Sequence, residues 1–66
     1  LPRIELIGNG QLQMENHRGI LSYREDEVVV SGGKLLVRIQ GSELELQSMS
    51  ANALLVAGVI RSVQLE

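Results

Sequence analysis

Gln11-Leu12-Gln13-Met14-Glu15 and Glu43-Leu44-Glu45-Leu46-Gln47 alternate polar and apolar residues without a break. A helix cannot sort such a stretch into one wet and one dry face. An extended strand does, because successive side chains point to opposite sides. Two further runs, Val28-Val29-Val30 and Leu35-Leu36-Val37-Arg38-Ile39, are apolar on both sides and suit strands covered on both faces.

Turn formers divide these runs. Gly8-Asn9-Gly10 follows a strand around Arg3–Ile7, Asn16-His17-Arg18-Gly19 follows Gln11–Glu15, and Glu25-Asp26 follows Ile20–Arg24. Gly32-Gly33 and Gly41-Ser42 read as tight hairpin turns, because glycine accepts the positive φ such turns need. Ser48–Ala53 breaks the rhythm and reads as a helical turn begun by Ser50 or as a longer loop. Leu54–Ala57 and Val59–Leu65 read as two strands, or as one strand bent at Gly58. Strand starts recur about every eight residues, the spacing of all-β sheets. The expectation is one all-β domain over residues 1–66. It would hold about seven or eight short strands in an antiparallel meander, closing as a sandwich or a partly open barrel. A short β-solenoid is the alternative, although no residue-level repeat supports it.

A chain of 66 residues is a single small domain, and at that size only about 60% of the unfolded surface is buried. Such domains usually add disulfides, a metal or partner subunits. There is no Cys, and the single His17 cannot build a Cys/His zinc site. Partner subunits are what remains. Tyr23 is the lone aromatic residue, so Leu, Ile, Val and Met must supply the core. The absence of Cys fits a reducing compartment.

The formal net charge is −2 and the basic residues are scattered from Arg3 to Arg61. Without a basic cluster or stacking rings, no nucleic-acid partner is expected. The apolar run Ala53–Ala57 reaches Ile60 only through Gly58, far short of the roughly 20 residues of a membrane helix. No membrane insertion by this chain and no signal peptide are therefore expected.

The candidate chemistry is sparse. His17 could serve as an acid or base, but no serine stands in a G-x-S-x-G turn to act with it. It lies in a polar turn, where a solvent-exposed structural histidine is the common case. Glu25-Asp26-Glu27 lacks the staggered ligands of a calcium loop and reads as a solvated hairpin tip. Gly8-Asn9-Gly10 and Gly32-Gly33 precede strands rather than a helix, which argues against phosphate cradles. The expectation is no enzyme, no cofactor and no metal. The charges on predicted strands, Glu5, Glu15, Glu43 and Glu45 with Arg3, Arg24 and Arg38, read as devices that fix strand register.

Ile4-Glu5-Leu6-Ile7-Gly8-Asn9 and Glu15-Asn16-His17-Arg18-Gly19-Ile20 resemble the YabP/YqfC family of sporulation proteins. Leu36-Val37-Arg38-Ile39-Gln40-Gly41-Ser42-Glu43-Leu44 and Leu54–Val63 continue the likeness over nearly the whole chain. The resemblance implies a small protein of endospore-forming bacteria, cytoplasmic on the mother-cell side of the developing spore. It implies a part in building the spore envelope and supplies no catalytic residues to carry over.

Composition and resemblance together lead to a self-associating structural protein, a homo-oligomer closing as a ring or running on as a filament. The alternative is a monomeric adaptor that binds another sporulation protein, membrane-embedded or not, through a strand edge. Val29, Leu36, Leu55 and Ile60 fall on faces opposite their strands' other apolar residues and are the expected interface residues.

Overall fold

The computed structural model describes every residue from Leu1 to Glu66. Six strands form: β1 (Arg3–Ile7), β2 (Gln11–Glu15), β3 (Ile20–Tyr23), β4 (Glu27–Ser31), β5 (Leu36–Met49) and β6 (Ala53–Leu65). There is no helix. All pair antiparallel in one open sheet of order β1-β2-β6-β5-β4-β3. The all-β class is as expected. The count is slightly lower, because two runs expected as separate strands merge into the 14-residue β5. The strands from β3 to β6 follow one another as a meander, but β2 pairs with β6 rather than β3. Asn16–Gly19 is therefore a crossing between distant parts of the sheet.

The long hairpin of β5 and β6 folds this sheet over itself. The first part of β5 pairs with β4 and with the end of β6. Its last part pairs with the start of β6, which also holds β2. One hairpin thus runs through both layers, and its bend sits at Gly41 and Gly58. A Cβ on Gly41 would collide with the Val59 carbonyl oxygen. A Cβ on Gly58, at φ +136°, would lie 2.5 Å from the Glu43 oxygen. Only glycine lets the two backbones approach that closely. Gly41-Ser42 is consequently a bend within one strand and not the expected hairpin turn. Gly58 likewise bends a single continuous β6. At the far end, β5 continues as strand to Met49 and turns tightly. There the Ser50 N–H donates to the Ala53 carbonyl at 2.7 Å. The helical turn considered for Ser48–Ala53 is absent, because strand pairing continues up to Met49↔Leu54.

Cross-strand partners share a face. Leu12↔Val56 and Met14↔Leu54 set the inner face of one layer, and Val30↔Val37 and Val28↔Ile39 set that of the other. These eight residues, with Leu44 and Ile60, form one buried cluster. Ile4, Ile20, Leu35, Leu46 and Val63 flank it. Burying each large aliphatic side chain contributes about 1.5–3 kcal/mol, so a small all-aliphatic core holds the layers together.

Candidate interaction surface

His17 is 5% exposed, not on a solvated turn as its polar neighbours suggest. The reason is the crossing it sits on. The Asn16 N–H donates to the Asn52 carbonyl, and the Arg18 N–H to the Ser31 carbonyl at 2.7 Å. This segment is stitched to the β5–β6 turn on one side and to β4 on the other. The imidazole fills the corner between them. Its Nδ1 accepts from the Gly19 N–H at 3.0 Å, and its Nε2 lies 3.0 Å from the Ser50 carbonyl oxygen. Since Nδ1 accepts, Nε2 carries the proton and donates to Ser50. Both nitrogens are engaged by backbone, which leaves neither for a substrate or a metal ion. The shallow hollow beside the ring is framed by Pro2, Arg18, Gly32 and Asn52. No carboxylate and no second imidazole lines it.

The expected interface residues are distributed unevenly. Val29 and Leu36 do lie on the outer face, opposite Val28, Val30 and Val37. Leu36 is half-buried there, while Val29 is only 6% exposed. Val29 stands directly across from Arg38, the neighbour best placed to cover it. The Arg38 guanidinium is fixed by Glu66 at 2.9 Å and Glu27 at 3.2 Å. Hydrogen bonds that Arg38 donates to Glu66, and then to Glu27, raise its basicity above the ordinary value. The reciprocal hydrogen bond holds the Glu66 carboxyl below its usual range. Leu55 lies between Gln13 and Ser48, half-buried on the outer face of the other layer. Ile60 belongs to the core cluster and points inward. Ile60 pairs with Gly41 and Ser62 with Gln40, so Arg61 is an extra residue without a partner. That bulge reverses the alternation, and Ile60 and Val63 both reach the core from positions of opposite parity.

The surface that strand alternation does not reveal lies at the edges. β1 touches no strand but β2, and β3 none but β4, within 8 Å between Cα atoms. The β3 edge is short and irregular, with its register shifting between Ile20 and Ser22. Its Tyr23 hydroxyl reaches across to accept the Leu46 N–H at 2.8 Å. β1 is regular, paired residue for residue with β2 from Arg3 to Ile7. Leu6 and Ile7 at its end remain about half exposed. Natural sheets blunt unpaired edges with bulges, proline or charge. β3 carries such a bulge; the β1 ladder has none, and its protection is Pro2 before it with Arg3 and Glu5 along it.

Comparison with known proteins gives a consistent picture. The model of the YabP family matches residues 2–66. The chain is 32% identical to the uncharacterized protein YqfC of Bacillus subtilis (strain 168), over 97% of this chain and 69% of that one. No solved structure matches. The match runs through the β1 edge, the His17 corner and the β5–β6 bend alike, and the chain belongs to the YabP family.

Proposed function

We propose that this chain is a non-enzymatic assembly protein of sporulation that works by associating with further copies of itself. The observation that carries the reading is the open, regular β1 edge beside half-exposed Leu6 and Ile7 on a domain with a thin aliphatic core. An edge of unpaired N–H and C=O groups next to exposed apolar side chains is a template for another strand. Family membership supports the sporulation setting, and with it a place on the mother-cell side of the forming spore and a part in its envelope. The engagement of both His17 nitrogens by backbone supports a role without catalysis. Light scattering coupled to size exclusion tests the proposal: a mass above 7.2 kDa that rises with concentration is expected. A monomer at every concentration would refute it. The same edge could receive a strand from a foreign sporulation protein, and a stoichiometric partner retained from sporulating cells by a monomeric chain would favour that adaptor reading.

A further inference from the structure

The hydrogen bonds of β2 show which backbone groups of β1 are free. Gly10 accepts from Gly58 and Asn16 donates to Asn52, so the even-numbered positions of β2 bond toward β6. The odd-numbered ones, Gln11, Gln13 and Glu15, then bond toward Ile7, Glu5 and Arg3. The N–H and C=O groups of Ile4 and Leu6 therefore point away from the sheet, with no strand beyond them.

The side chains along this edge are self-complementary. Leu1-Pro2-Arg3-Ile4-Glu5-Leu6-Ile7 reads, outward from Ile4, as one charge of each sign and then apolar residues on both sides. Resting on the self-association reading above, we infer that two copies pair their β1 strands antiparallel about a two-fold axis at Ile4. Ile4 then meets Ile4 of the second copy, Arg3 meets its Glu5, Leu6 its Pro2 and Ile7 its Leu1. Ile4 exchanges both of its free backbone bonds with its counterpart, and each Leu6 N–H donates to the opposite Pro2 carbonyl. Pro2 has no N–H to return the bond, so each Leu6 carbonyl stays open to water at the ends of the pair.

Neighbouring registers are worse. Centring the pair on Glu5 or on Arg3 sets like charges face to face. Odd shifts bring a free backbone group opposite one already used by β2. Within the chain Glu5 has no ion-pair partner, while Arg3 reaches only Glu15 at 3.4 Å. The second copy supplies Glu5 with its cation, twice over by symmetry. Such an isologous pairing closes at two copies, and the bulged β3 edge gives no comparable surface for growth beyond the pair.

Sedimentation equilibrium on the full chain tests this with charge swaps at exposed positions. E5R places arginine opposite arginine and R3E places glutamate opposite glutamate. Each is expected to weaken association about tenfold or more. The double variant R3E/E5R restores opposite charges in the same register and is expected to recover the parent's association. Far-UV circular dichroism verifies that each variant is folded. Association of the parent that neither single swap weakens, or that the double swap fails to restore, overturns the β1 pairing while leaving self-association standing. A parent chain that is monomeric throughout overturns both.

Discussion

Replacing His17 with alanine removes a ring that two backbone segments depend on. The Gly19 N–H loses its acceptor and the Ser50 carbonyl its donor, each from a 3.0 Å bond at a site that is 5% exposed. A buried hydrogen bond contributes about 1 kcal/mol net, and stranding its partner costs about 1–3 kcal/mol. The vacated corner adds a cavity term, offset where water enters to satisfy the two groups. The expected loss is about 3 kcal/mol. A domain of this length has a total stability of only about 3–10 kcal/mol, so H17A should retain between almost none and about 7 kcal/mol of it. Urea denaturation followed by far-UV circular dichroism reads this directly. With a slope near 1 kcal/mol per molar, the midpoint should fall by about 3 M or vanish. Parent and variant must be compared at one protein concentration, because association stabilises the folded state by mass action. A midpoint shift below about 0.5 M would refute the role assigned to the ring.

Three further outcomes follow from the same structure. G58A forces a side chain into a φ of +136° and against the Glu43 carbonyl; it should cost at least about 2 kcal/mol and lower the melting temperature by roughly 10 °C in a thermal scan. Y23F deletes the hydroxyl that accepts the Leu46 N–H. Because that site is open to water, it should cost only about 0.5–1 kcal/mol, while the Leu46 amide exchanges faster by hydrogen-exchange NMR. The Glu66 carboxyl is held low by Arg38, so its contribution is present above the ordinary carboxylate range and lost as pH falls through the lowered value. E66Q should flatten the acid limb of the stability profile from the ordinary carboxylate range downward, as measured by urea midpoints at each pH.

Much of the strand content is legible from residue order. The Gln11–Glu15 alternation and the Val28–Val30 run translate directly into β2 and β4, because period two and bounding turns are local properties. The bend at Gly58 within one strand is among the readings the sequence allows, whereas its Gly41 half escapes for a physical reason. Gly41-Ser42 has the composition of a turn, and only the nearness of Val59 and Ile60, far along the chain, shows that the glycine serves a close backbone approach. The same distant pairing creates the bulge at Arg61 and carries Ile60 inward. His17 is misleading on similar grounds, since its neighbours Asn16 and Arg18 are exposed while the ring is buried against a turn more than thirty positions away. The β1 edge is different. Its charge and apolar symmetry about Ile4 is written in the first seven residues, but it gains meaning only once β1 is known to be an outermost strand.

The pairing of β2 with β6 also sets a timetable for biogenesis. Gln11 must wait for Ala57 before its strand has a neighbour on the core side. A ribosome working at about 5–20 residues per second will therefore have made everything through Ala57 while the β1–β2 hairpin still hangs free. The meander from β3 onward can assemble meanwhile from neighbours close in order. Docking of the leading hairpin onto the trailing strand is then the closing event, and the greasy rim of Leu12 and Met14 stays open to chaperones and to aggregation until it happens.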